Sequence, residues 1–333
     1  MRALVTGGAG FIGSNLCDAL IERGWTVVAL DNFITGKRAN VEHLAGDERF
    51  TLVECDLEQA PRIACDAVFH LASPASPVGY GKHPLETLAV NSQGTWRALE
   101  IARENGAKFL LASTSEVYGD PLVHPQTEDY FGNVDPVGPR ACYDEGKRFA
   151  EALTMSYVQT HGVDARIVRI FNCYGPRNDL DDGRMVPTFA GQALRGEPLT
   201  VHGDGAQTRS LCYVDDLVDG LFAAMLTDGT TGRVYNLGQP REHSVLEFAQ
   251  MIIRIAGSTS EVRHVPPRPA DIERRKPDAT RAERELGWTA HRSLEYGLAQ
   301  TIEWYRQQLE TERIPEHLRA GSAESPSSET VRT

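Results

Sequence analysis

In the stretch "YDEGK", Tyr143 and Lys147 stand four residues apart, a spacing that stacks them on one face of a helix. A tyrosine hydroxyl ordinarily ionises at a pKa of about 10, and an ammonium beside it favours the phenolate. A phenolate so held can take the proton from a substrate hydroxyl while hydride leaves the same carbon. Upstream, "STSEVYG" closes an apolar run with hydroxyls and one carboxylate. Thr114 or Ser115 can hydrogen-bond the reacting hydroxyl and complete a triad. Glu116 is either part of the chemistry or a solvated loop acid, and this stretch alone leaves both readings open.

Hydride needs an acceptor, and "TGGAGFIG" provides a place for one. Gly7, Gly10 and Gly13 fall between an apolar strand and a helix. In that order they permit a tight turn, a close approach of backbone to a pyrophosphate, and packing of the helix on the sheet with its N-terminus facing the anion. Asp31 ends the next strand, eighteen residues after Gly13, where a carboxylate holds adenosine ribose hydroxyls and repels a 2′-phosphate. NAD is therefore expected rather than NADP. Asp56 follows the third strand as an adenine contact. Phe11, Ile12, Asn32, Leu57 and Leu71 flank these positions and complete the expected cofactor site.

Apolar runs that end in polar or glycine residues must position these groups. Arg2–Thr6, Thr26–Leu30, Phe50–Glu54, Ala67–Leu71, Lys108–Ser113 and Ala165–Phe171 read as buried parallel strands,. Helical patterns fall between most of them, at Asn15–Arg23, Leu85–Asn105 and Tyr143–Gln159. Repeated β-α units predict an α/β fold: a Rossmann-type doubly wound parallel sheet. After about Phe171 the rhythm breaks into shorter pieces, which predicts a smaller α/β substrate-binding lobe. The expected division is a cofactor domain over 1–171 with a returning segment near 210–237, a substrate lobe over 172–209 and 238–315, and a flexible tail over 316–333.

Composition narrows the partners. A net charge of −12 argues against nucleic acid and against an anionic membrane surface. Cys17, Cys55, Cys65, Cys142, Cys173 and Cys212 lie far apart, and no pair has metal-ligand spacing. They read as reduced, mostly buried thiols in a cytoplasmic protein, with no metal. The first residues run straight into a strand, so no signal peptide is expected, and no apolar run approaches a membrane span.

The glycine turn, the Tyr143/Lys147 pair and the hydroxyl-rich turn together resemble the extended short-chain dehydrogenase/reductase family, the NAD-dependent epimerases and dehydratases of nucleotide sugars. The resemblance covers about Arg2 to Leu309. "HLASPASP", "LLASTSEVYGDP", "GPRACYDEGKR", "GEPLTVHGDGAQTRS" and "RRKPD" are similar to the branch of that family that converts UDP-glucuronate to UDP-xylose and CO2. The resemblance thus implies UDP-glucuronate as substrate, NAD recycled in place, and a homodimer through the helices containing Leu85–Asn105 and Tyr143–Gln159.

It also implies residue roles. In the family's 4,6-dehydratases the position of Ser115 is commonly an Asp that helps expel a C6 hydroxyl, which Ser115 cannot do. Oxidation at C4 of a uronic acid gives instead a β-keto acid, whose CO2 loss needs an electron sink and an oriented carboxylate. Glu116 is placed near C5, and Arg275 of "RRKPD" is the cation for the C6 carboxylate; otherwise that run is a solvated basic patch. Asn172 touches the diphosphate or caps the core, Arg177 binds a phosphate of cofactor or substrate, and Arg209 pairs with UDP. Tyr80 reaches the sugar or is an exposed loop aromatic. Lys37 touches the adenosine phosphate or is a surface lysine. His202 stands where many relatives carry an aromatic near the uracil. The other readings are a 4,6-dehydratase or a 4-epimerase, which CO2 release would exclude, and a non-catalytic NAD-binding scaffold, which would turn over no nucleotide sugar.

Overall fold

The computed structural model describes residues 1–267 and 274–313. Six strands form in chain order: β1 (Arg2–Thr6), β2 (Thr26–Asp31), β3 (Phe50–Glu54), β4 (Ala67–His70), β5 (Lys108–Thr114) and β6 (Ala165–Ile170). The strand Val234–Leu237 returns beside β6 to make seven, ordered Val234–Leu237, β6, β5, β4, β1, β2, β3, with every pairing parallel. The order steps outward from β1 in both directions, so the strand ends at β1 and β4 flank a crevice, where open α/β sheets take ligands.

The apolar runs of β1, β2, β4, β5 and β6 are continuous because both faces of the sheet are covered there; β3, expected to be buried, is the edge strand, and none of its residues is fully buried. Side chains alternate between faces along a strand: Ala3 and Val5 join a cluster with Leu16, Cys17 and Leu20, whereas Leu4 joins one with Leu99, Phe109 and Leu111. The helix Phe11–Glu22, here α1, supplies the first cluster. It begins four residues before the predicted Asn15, because the glycine turn passes directly into it.

The predicted Leu85–Asn105 helix is divided into Pro84–Ala89, a π-helical turn Val90–Gly94, and Thr95–Asn105. Buried Asn91 accounts for the widening: its amide donates to the Thr87 carbonyl at 2.8 Å and to Ser73 Oγ at 2.9 Å, and an inserted polar side chain perturbs the helical ladder. The helix that carries Tyr143 spans Ala141–His161. All six cysteines are free, but only Cys17, Cys65 and Cys212 are buried, fewer than expected.

Beyond β6, Leu199–His202 pairs with Val262–Val265 in parallel, and Thr208–Arg209 lies between His243–Ser244 and Arg274–Arg275. Helices Met185–Arg195, Val245–Ala256 and Leu294–Arg313 pack around these pieces. The predicted tail, 316–333, lies outside the described residues. Among the described residues no helix is long and apolar enough to cross a membrane.

Candidate active site

A cleft of about 1130 Å³ runs along the C-terminal ends of the strands and under the elements beyond β6. At one end is the glycine turn. Gly7 has φ +71°, and a Cβ there would lie 2.8 Å from the Ala72 backbone nitrogen. A Cβ on Gly13 would meet the Gly7 carbonyl oxygen at 2.0 Å, so α1 can approach the turn only without one. Gly10 is the N-cap of α1 and no side chain caps it, which leaves the first N–H groups of the helix for an anion. Phe11 and Ile12 line the same space.

Asp31 closes this end. Its carboxylate accepts from Ala9 N–H at 2.9 Å and from Phe33 N–H at 2.8 Å. Burial pushes its pKa up while those donors pull it back. Asn32 donates to Asp56 Oδ1 at 2.8 Å, joining the two positions expected beside the adenosine; Leu57 and Leu71 line the wall. Lys37 pairs across the cleft with Asp179 at 2.9 Å. Arg177, at φ +69°, pairs through Nη2 with Asp18 at 2.5 Å, while its Nη1 is buried without a hydrogen-bond partner among the described residues. The uncapped helix, the Cβ-free turn and the carboxylates of Asp31 and Asp56 at this end fit a dinucleotide.

Deeper in, Tyr143 is buried, and burial raises its pKa to about 12 against the pull of the Thr114 hydroxyl and the Arg184 charge. Lys147 donates to the Ala112 carbonyl at 2.9 Å, and burial lowers its pKa to about 8. The expected phenolate-stabilising contact from Lys147 is thus not what dominates at Tyr143; desolvation does. Thr114 accepts from Glu116 N–H at 3.2 Å, turning the chain after β5 into the single helical turn Ser115–Tyr118. The Tyr118 hydroxyl donates to Asn236 Oδ1 at 2.7 Å, fastening that turn to the returning strand. Tyr80 is no exposed loop aromatic: it is buried on the short helix Pro77–Lys82 and stacks on Tyr143.

Glu116 is no solvated acid either. Its two oxygens accept separately from Arg275 Nη1 and Arg140 Nη2. Burial alone would raise its pKa, but the two guanidiniums outweigh burial and hold it below the usual value. Arg275 is 6% exposed and lines the cleft. Its Nη2 donates to the Gly119 carbonyl at 3.2 Å, and its Nε, buried, has no hydrogen-bond partner among the described residues. It is therefore not part of a solvated basic patch, and it sits directly beside Arg209 in the strand register. Asn172, His202 and Arg209 line the same space, with His202 Nδ1 against the Pro266 carbonyl at 2.9 Å.

Three residues escaped the sequence reading. Arg140 pairs with Glu116; Asp144 lies beside Arg140 at 3.7 Å; Arg184 reaches over the cleft to the Ala75 carbonyl at 2.6 Å. Arg140 and Asp144 are four apart next to Tyr143, a helical ion-pair spacing that could have been noticed. Arg184 had no local signal.

The pattern of the family described as NAD dependent epimerase/dehydratase matches residues 3–238. The chain belongs to that family. Among this family's members, UDP-glucuronic acid decarboxylase 1 of Xenopus tropicalis is 50% identical over 309 residues, covering 93% of this chain and 73% of that protein. UDP-glucuronic acid decarboxylase 6 of Arabidopsis thaliana is 48% identical over 310 residues, covering 93% and 90%. Among solved structures, UDP-glucuronic acid 4-epimerase from Bacillus cereus, in complex with UDP-glucuronic acid and NAD, superposes with a TM-score of 0.82 at 31% identity, over 92% of this chain and all of that one.

Proposed function

We propose that this protein decarboxylates UDP-glucuronate to UDP-xylose and CO2, with NAD held in the cleft throughout. One observation carries the reading: Arg275, a guanidinium more than nine-tenths buried on the cleft wall, keeps a buried N–H without a hydrogen-bond partner among the described residues. Such a group is costly unless a ligand completes it, and a planar carboxylate is the acceptor its fork suits best.

NAD, when bound, supplies reversible hydride acceptance at C4. Tyr143 takes the C4 hydroxyl proton, and Thr114 beside it orients that hydroxyl. Arg275 holds the C6 carboxylate of the resulting 4-keto sugar out of the ring plane, so that the C5–C6 bond breaks with its electrons flowing into the C4 carbonyl. CO2 leaves, C5 takes a proton, and Tyr143 returns its proton to the C4 oxygen as hydride comes back. Ser115 offers no acid for a dehydration.

The relatives at 48–50% identity named above are decarboxylases, which favours CO2 loss over simple inversion at C4. Incubation with UDP-glucuronate, following CO2 and the nucleotide product, tests the choice. UDP-xylose with one CO2 per turnover is expected; UDP-galacturonate without CO2 would make the protein a 4-epimerase. A homodimer is part of the proposal, because Leu85, Leu88, Trp96 and Phe149 leave apolar surface exposed along the helices expected to pair,. A cytoplasmic setting suits six unpaired thiols,.

A further inference from the structure

Glu116 is shared by two guanidiniums that lead to different places. Arg275 belongs to the cleft wall. Arg140 immediately precedes the helix of Tyr143, with its side chain 39% exposed. Behind Arg140 stands Asp144, 3.7 Å from a buried Nε that makes no hydrogen bond among the described residues. A sugar carboxylate entering the cleft needs N–H groups of Arg275, yet Glu116 already takes Nη1 and the Gly119 carbonyl takes Nη2. Two carboxylates on one guanidinium repel each other unless a further cation absorbs part of the charge. Arg140 is already in contact with the second oxygen of Glu116 and can do so.

We propose that Arg140 is a positioning residue that holds and neutralises Glu116, leaving Arg275 to the carboxylate of a uronic acid, and that it thereby sets the preference for carboxylated over uncarboxylated nucleotide sugars. The inference rests on the reading of Arg275 given above. Without Arg140 the whole charge of Glu116 falls on Arg275, that pair tightens, and the substrate carboxylate has to compete with it. The effect falls on ligands that carry the carboxylate, because UDP-xylose brings no second carboxylate to compete with Glu116 for Arg275.

Calorimetric titration of the NAD-loaded full chain, carrying Tyr143→Phe so that the ligand is not turned over, with UDP-glucuronate and with UDP-xylose reads this out. Arg140→Gln should weaken UDP-glucuronate by roughly tenfold or more, the scale of a charge-assisted hydrogen bond, and leave UDP-xylose where it was. Arg140→Lys keeps the charge and should recover most of the loss. The double variant Glu116→Gln with Arg140→Gln should also recover it, since no competing carboxylate remains. Equal weakening of both ligands, an unchanged ratio, or a double variant that fails to recover would each overturn the role. A wild-type chain that released no CO2 from UDP-glucuronate would remove the underlying reading before any substitution is made.

Discussion

The ring of Tyr80 stacks on the ring of Tyr143, with centroids 5.3 Å apart and planes 11° from parallel. The contact ties the Tyr143 phenol to a helix whose own start is fixed by Ser76, which accepts from Gly79 N–H at 3.0 Å. The phenol is therefore held from two sides, by its own helix and by Tyr80. Tyr143→Phe keeps the stack and removes only the ionisable hydroxyl. Turnover should fall by about 10²–10⁴-fold, the usual cost of losing a general base, while UDP-sugar binding persists. Steady-state rates beside equilibrium titration check this; a variant with most of its turnover would place the base elsewhere.

Arg275→Ala should weaken UDP-glucuronate about 10- to 100-fold through the lost charged contact. CO2 release should suffer a further loss, because the freed carboxylate can rotate out of alignment. Arg275→Lys restores charge without the fork and should regain affinity more than rate. Near-ultraviolet absorbance during a single turnover tells whether oxidation continues while CO2 loss stalls. Wild-type affinity and rate in the alanine variant would disprove the assignment.

Asp31 accepts two backbone N–H groups, and an asparagine can accept only one of them with its oxygen. Asp31→Asn should therefore cost about 1–3 kcal/mol of stability for the mismatched donor. It should also narrow the preference for NAD over NADP, because the repelling charge is gone. Thermal melts and parallel titrations with both dinucleotides measure the two effects. An unchanged cofactor ratio would mean that Asp31 only braces the turn.

Asp144 is 7% exposed, and burial foremost raises its pKa from 3.8 to about 6 despite the Arg140 charge. A folded-state pKa above the unfolded one means that ionisation is what costs stability. The cost is nil below the unfolded value, grows between the two values and is complete above the folded one. Asp144→Asn removes it, so the variant should be more stable by ~3 kcal/mol at pH 8 and by about half that at pH 5. Denaturation at the two pH values decides; a gain equal at both would mean that the carboxyl is not titrating between them.

The glycine turn and the Tyr143/Lys147 pair were readable because both are local: a few residues of fixed spacing state the geometry by themselves. The strands were readable because burial on both faces leaves uninterrupted apolar runs. What Glu116 does could not be read, since Arg140 lies 24 residues away and Arg275 lies 159 away, and only the fold makes them neighbours. The same holds for the Tyr80–Tyr143 stack. The break at Val90–Gly94 was hidden because Asn91 finds its partner in Ser73, in a different loop. Lys147 shows the opposite failure: its spacing from Tyr143 was plain, but its burial, and hence its lowered pKa, was not.

The seventh strand, Val234–Leu237, is made long after the six it joins. A chain emerging from the ribosome holds the glycine turn, Tyr143 and Lys147 well before it holds this strand. Until then β6 presents an open row of backbone donors and acceptors, the kind of edge on which other chains pair. The turn bearing Glu116 also lacks one of its ties, the Tyr118–Asn236 hydrogen bond, although Arg148 and Arg169 already hold it. The groups proposed to do the chemistry are thus written early and assembled late. An N-terminal half expressed to Phe171 would carry nearly every cofactor contact in its sequence and yet aggregate instead of binding the cofactor.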